Sequence, residues 1–273
     1  MFAEIPVAEI RGYATPYPGP QLEMVIASIA EGNTRAQLWM AAPPGGAASA
    51  LLWDQGNNVF YLSGDLGAQE VTNGLALLIR EEIAGRARAG GLAHFKVHAL
   101  SPSSGRPLHA LFGCVLRKVP KLFFALGEHE ALSVPPPTLK DVRFLAIDAD
   151  LLQRENLENL ERVRAEVEWM WPSLERYVER GFGCAALCGE AVVSWCTAEY
   201  VSVGRCGMGI ETVPVFRNKG VGTGAAARFA ETCLDRGIIP HWECDRGNVA
   251  SIRVAEKLGF AVVSESVFWS GAF

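Results

Sequence analysis

The run from Ile210 to Gly237, I-E-T-V-P-V-F-R-N-K-G-V-G-T-G-A-A-A-R-F-A-E-T-C-L-D-R-G, constrains this chain more than any other stretch. Ile210 to Val215 reads as a strand, Arg217 to Gly224 as a glycine-rich turn, and the residues from Gly222 to Arg236 as an amphipathic helix. Gly220, Gly222 and Gly224 allow a tight turn and keep side chains away from its amide N–H groups. The first free N–H groups of the following helix point at the same place, so the unit is suited to bind a pyrophosphate. Two nucleotide motifs are excluded. A P-loop needs Lys followed by Ser or Thr after the last glycine, and none is present. Gly220, Gly222 and Gly224 give G-x-G-x-G, which misses the dinucleotide spacing G-x-G-x-x-G.

The pattern that fits is R-x-x-G-x-G, from Arg217 to Gly222, with Pro214 three residues before the arginine. A second pattern follows: Asn248 opens a helix that closes in Lys257-Leu258-Gly259-Phe260. In order and spacing the two together resemble the signatures of the GNAT acyl-CoA N-acyltransferases. The runs Gly209–Thr212, Cys233–Gly237, Pro240–Cys244 and Asn248–Phe260 are further similar to a bacterial subfamily that carries an extra N-terminal half. The resemblance implies an α/β (α+β) fold, with a mixed, centrally splayed β-sheet flanked by helices. It also implies acetyl-CoA as the acyl donor.

Element order suggests that the plan occurs twice. Strands at 33–41, 48–53 and 59–62, separated by turns at Pro43–Gly46 and Gln55–Asn58, precede a helix at 68–89. A strand at 93–100, a helix at 108–115 and a strand at 122–126 complete the first half. The second half places strands at 143–147, 184–188, 192–201 and 208–215 before helix 222–236. Strand 239–244, helix 248–258 and strand 261–269 then follow. The expected division is therefore 1–134, an α/β half consistent with a degenerate GNAT-like copy, and 138–273, the acetyltransferase domain. Pro135–Pro137 form the linker. At the place of the coenzyme loop, the first half has S-G-D-L-G-A-Q-E (Ser63–Glu70), which lacks both the glycine spacing and a basic residue.

Composition narrows the partners. A formal net charge of −5, with no Lys/Arg-rich run, argues against nucleic acid. No apolar run approaches a membrane span, and M-F-A-E-I-P-V-A-E-I-R is not a secretory leader, so a cytoplasmic protein is expected. Seven cysteines without C-x-x-C spacing read as free thiols. Cys184 with Cys188, and His94 with His98, lack the companions that a metal requires.

Acyl transfer to an amine needs a polarised thioester carbonyl, a deprotonated amine and a stabilised thiolate. The resemblance assigns the first to backbone N–H groups of Thr212 and Val213. It assigns the pyrophosphate to Arg217, Asn218, Lys219, Gly220, Val221, Gly222 and Thr223, with Asn248 and Ser251 beside the pantetheine arm. The positions where the family often carries its base hold Met208 and Cys206, and the usual tyrosine acid falls at Ala255. Glu211 is then the candidate catalytic base, with Glu199 and Glu243 as alternatives. Burial at the sheet should raise its pKa above the roughly 4.3 of a free glutamate. Strand alternation turns Glu211 away from the acceptor if Met208 and Ile210 face it, unless a bulge intervenes. Glu155, Glu158, Glu161, Glu166 and Glu168 read as the solvated face of a helix, or as an acidic rim suited to a cationic acceptor. Trp169–Trp171, where that helix meets the next, reads as core or as a substrate wall. The expected function is N-acetylation of a primary amine on a small molecule or peptide. The alternative is a non-catalytic acyl-CoA sensor.

Overall fold

The computed structural model describes residues 2–13, 20–41, 48–64, 68–100, 108–127, 132 and 137–273. The turn at Pro43–Gly46, residues 65–67 of the run Ser63–Glu70 and the linker prolines 135 and 136 lie outside them. Two compact units emerge, Met1–Pro120 with Ser266–Phe273, and Lys121–Glu265. The expected split at residues 134–138 thus differs from the units at two strands.

In the first unit, β1 (Ala3–Ile5), β2 (Ala36–Ala41), β3 (Ser49–Asp54) and β4 (Val59–Ser63) run antiparallel in sequence order. Helix α1 (Pro20–Ala30) lies between β1 and β2 in the chain. The helical stretch after β4 runs as α2 (Gln69–Leu78), a π-turn (Ile79–Ile83) and α3 (Ala84–Ala89). Val71, Leu75, Ile79 and Ile83, at helical spacing, are buried along it. β5 (His94–Ala99) then pairs parallel with β4, and α4 (Leu108–Phe112) follows. β4 and β5 stay together from Val59↔Lys96 to Leu62↔Ala99, and Leu100 N–H continues the ladder to Leu62 C=O at 2.9 Å. These two strands leave no gap between them.

The second unit repeats the plan. β7 (Val142–Ala146), β8 (Gly183–Cys188), β9 (Ala191–Ser202) and β10 (Arg205–Thr212) form an antiparallel meander. Between β7 and β8 come α5 (Ala149–Leu152), α6 (Leu160–Met170) and α7 (Leu174–Arg180). Asp148 caps α5 by accepting the Leu151 N–H at 2.9 Å, and Ser173 caps α7 through the Arg176 N–H. Helix α8 (Val221–Asp235) leads to β11 (Ile239–Asp245), parallel to β10, and α9 (Val249–Lys257) comes next.

The sixth strand of each unit comes from the other half of the sequence. β6 (Arg117–Leu126) contributes Lys121 to Leu126 to the second unit, where it pairs antiparallel with β11 from Asp245↔Lys121 to His241↔Ala125. β12 (Phe260–Ala272) contributes its end to the first unit, pairing with β5 from Trp269↔Val97 to Ala272↔His94. Phe60, Phe95, Phe112 and Phe273 pack edge-on and stacked in the first core, tying that last strand down. Trp171, Trp195, Phe229 and Trp242 are almost wholly buried in the second.

Candidate active site: a parted pair of strands above a glycine loop

β10 and β11 pair only from Arg205↔Ile239 to Met208↔Trp242. Beyond that rung β10 continues through Gly209, Ile210 and Glu211 to Thr212, bonded to β9 alone. β11 continues to Asp245, held by β6 on its other edge. Lys121 of β6 fastens this arrangement, with Nζ at 2.9 Å from Glu243 and 2.8 Å from Asp245. Burial alone would push this lysine down, but the two carboxylates outweigh it and hold its pKa above the usual value. Glu243, an alternative base in the sequence, is thus tied to a cation.

The parting exposes backbone groups of β10. The Val213 N–H donates to Val193 C=O at 3.0 Å, so the 213–193 pair is a hydrogen-bonded one. In an antiparallel ladder such pairs alternate, which directs the amides of Ile210 and Thr212 to the opposite edge, into the opening. Of the two amides expected to polarise a thioester, that of Thr212 points into the opening and that of Val213 is spent on the sheet.

The loop below leaves several backbone amides free. Asn218 and Gly220 take left-handed φ of 61° and 78°. No side chain caps α8, and its first backbone bond runs from Gly224 N–H to Gly220 C=O at 2.9 Å. The amides of Val221, Gly222 and Thr223 therefore have no acceptor within the helix. Thr138 fixes the loop by donating its N–H to Lys219 C=O at 3.0 Å, and Arg217 Nε reaches Thr212 C=O at 3.2 Å. The Lys219 ammonium lies 5.1 Å from the Phe216 ring centre. Gly222 serves packing as well. A Cβ there would meet Thr212 Oγ1 at 2.7 Å, so the missing side chain lets α8 approach β10.

Parity resolves which way the strand residues face. Ile210 and Thr212 adjoin Gly222 of α8, and the free thiol of Cys206 is in hydrogen-bond contact with that of Cys233 on the same helix. Cys206 and Met208, the positions where the family places its base, therefore turn toward α8. Gly207, Gly209 and Glu211 share the other face with Trp195, Thr197 and Glu199 of β9, their cross-strand partners. No bulge is needed at the parting for Glu211 to reach this α6 side.

Helix α6 covers that face. Its Glu166 accepts Trp195 Nε1–H at 2.7 Å and Thr197 Oγ1–H at 2.6 Å. Burial pushes the pKa of Glu166 up against the pull of both bonds. Arg162, also on α6, pairs with Glu211 and stands 5.2 Å from the Trp195 ring centre. Glu211 is not buried as expected: its side chain is 39% exposed. Gly207 and Gly209 form a floor beneath Glu199, whose carboxylate lies where a Cβ on Gly209 would project. His241, paired across from Gly207, lies on this face also.

Other sequence candidates have structural partners. Asn248 caps α9 by accepting Ser251 N–H at 3.1 Å, while Ser251 Oγ accepts Trp242 Nε1–H at 2.8 Å. Ala255 is wholly buried core. Trp171 is core, donating to Ala198 C=O at 2.9 Å, whereas Trp169 is 44% exposed. Among the described residues no three His, Cys, Asp or Glu side chains gather as a metal ion needs, and no helix is long and apolar enough to cross a membrane. The sequence carries no sign of Arg162, Lys121 and His241, and Glu166, expected on a solvated face or an acidic rim, is instead bonded to Trp195 and Thr197. Glu166 stands three residues from Val163 and four from Met170, at the border of the buried stripe, and that spacing was the available signal.

A parallel pair of strands that parts above a glycine-rich helix start is the arrangement that the resemblance to the GNAT fold led us to expect. A profile of GNAT acetyltransferases matches residues 128–267, just over half of the chain. The chain belongs to the GNAT acetyltransferase family, and it is an N-acetyltransferase. It is 28% identical over 219 residues to the uncharacterized N-acetyltransferase YdfB of Bacillus subtilis, covering 79% of this chain and 78% of that one. In fold it is similar to a GCN5-related N-acetyltransferase-like protein from Streptococcus suis, with a TM-score of 0.67, 17% identity and coverage of 97% and 98%. It is likewise similar to a tandem GNAT protein from the clavulanic acid biosynthesis pathway, with a TM-score of 0.57, 14% identity and coverage of 100% and 98%. The two-half fold expected from element order agrees with these neighbours.

Proposed function

We propose that the protein transfers the acetyl group of acetyl-CoA directly to a primary amine of a small molecule or peptide, within a ternary complex. The observation that carries this reading is the parting of β10 and β11 directly above the free amides of the α8 loop. Pantetheine would lie in the opening as an added strand against Gly209 to Thr212. The pyrophosphate would rest on the backbone of Asn218 to Thr223, with Arg217 and Lys219 supplying charge. The Thr212 amide, with Ile210 beside it, would polarise the thioester carbonyl, and Glu211 on the α6 face would take a proton from the arriving ammonium.

Thiol release from acetyl-CoA, followed over a panel of amines, tests the reaction. A protein that binds acetyl-CoA and acetylates none of them is a sensor. Saturating acetyl-CoA at 100 times its Kd should stabilise the chain by about 2.7 kcal/mol. The double variant Arg217→Glu/Lys219→Glu reverses both charges, and its Tm is compared with wild type first, because Arg217 also holds Thr212 C=O and Lys219 lies against Phe216. Its Kd for acetyl-CoA should rise about tenfold or more, and more at low salt than at high. An unchanged Kd would refute the pyrophosphate assignment.

A further inference from the structure

His241 is buried, with 6% of its surface exposed, and neither ring nitrogen has a hydrogen-bond partner among the described residues. Unpaired buried nitrogens are destabilising, and most buried polar groups avoid that condition. The position is specific. His241 pairs with Gly207, one rung before the last pair that joins β10 and β11. Across Gly207 on the same face stands Glu199, so a carboxylate, a glycine and an imidazole follow one another across three strands, with Glu199 and the Tyr200 ring packed against the glycine. Among the described residues of this unit the Tyr177 hydroxyl is likewise buried without a partner, but it packs beside Gly183 of β8, two strands from β10.

We propose that the His241 imidazole meets the reacting nitrogen of the acceptor over Gly207 and takes the second of the two protons which that nitrogen must lose. This rests on the acetyltransferase reading above. An acceptor arriving as an ammonium loses its first proton before attack, in the role assigned to Glu211. Its lone pair then forms the N–C bond to the thioester carbon, and the C–S bond breaks with its electron pair leaving on sulfur. The nitrogen now carries a positive charge and one proton too many. A neutral ring nitrogen of His241 accepts that proton and returns it to the coenzyme thiolate, so the histidine is unchanged after each turnover.

The surroundings keep the ring neutral for this task. Burial first, and the Arg205 guanidinium second, push its pKa down to about 4. The charged groups around this face are Arg205 and Glu211 on β10, Glu199 on β9, Glu166 and Arg162 on α6, and the Lys121–Glu243–Asp245 set on β6 and β11.

The test compares His241→Phe, which keeps the ring shape and removes both nitrogens, with His241→Asn and wild type. Wild type is first assayed by thiol release with n-butylamine, 1,4-diaminobutane, glucosamine and a lysine-containing peptide, and the best of these serves throughout. The expected result is a fall in kcat of about 100-fold in both variants. The KM for acetyl-CoA should be unchanged, and the Tm of the Phe variant equal to or above that of wild type. The folded ring refuses a proton until about pH 4, whereas the unfolded one takes it near 6.5. Wild type should therefore lose Tm as pH falls from 6.5 to 4, and the Phe variant should lose less. A kcat within threefold of wild type overturns the proposal and leaves the acetyltransferase reading intact. So does a kcat loss matched by an equal loss of acetyl-CoA affinity or by a fall in Tm. A wild type that binds acetyl-CoA but releases no thiol with any of the amines overturns both.

Discussion

At the scale of single residues, Glu211 is the position where sequence and structure differ most usefully. Strand alternation alone left its direction open, because nothing in the sequence says which face of β10 carries α8. The contact of Gly222 with Thr212 and Ile210 settles this and turns Glu211 to the α6 side. Its pairing with Arg162 joins it to a residue 49 positions away on another element, a relation that no local pattern encodes. Glu211→Gln keeps the shape and removes the charge. If Glu211 takes the first proton, kcat should fall about 100-fold or more while the Kd for acetyl-CoA holds. Unchanged kcat together with a lower Tm would make the Arg162 pair its whole purpose. His241 was hidden for a similar reason. P-H-W-E-C reads as an alternating strand, and only tertiary packing reveals that His241 is buried with no partner among the described residues.

At the scale of elements, the glycine loop and the capped helix α9 were legible because both are local. Gly220 at φ 78° and the Asn248 cap are fixed within a few neighbouring residues. Strand bounds were less legible. The strand expected to reach Val215 ends at Thr212, and Pro214–Phe216 forms a short 3-10 turn that brings the chain down to the loop. Helix α6 was found by its buried stripe, but its attachment to β9 was not. Glu166 makes that attachment through two charge-assisted bonds to Trp195 and Thr197. Glu166→Ala leaves both donors unmet beneath a helix, and chemical denaturation should show a loss of about 3 kcal/mol. A loss below about 0.5 kcal/mol would mean that α6 is held by its apolar stripe alone.

For the whole molecule, the doubled plan was legible in element order, and the exchange of last strands was not. Sequence periodicity identifies a strand but not its neighbour, so β6 was assigned to the half that precedes it in the chain. Its pairing with β11, fixed by Lys121 against Glu243 and Asp245, makes it part of the second unit's sheet. The two units also differ in the feature that matters for the coenzyme, since β4 and β5 stay zipped where β10 and β11 part. The central claim is therefore that one acetyl-CoA binds per chain, in the opening of the second unit. Amide hydrogen exchange with and without saturating acetyl-CoA measures this most directly. Protection should appear in peptides covering Gly209 to Gly224 and be absent from those covering Val59 to Leu100. Protection in the first unit, or none at Gly209 to Gly224 despite binding, would contradict it.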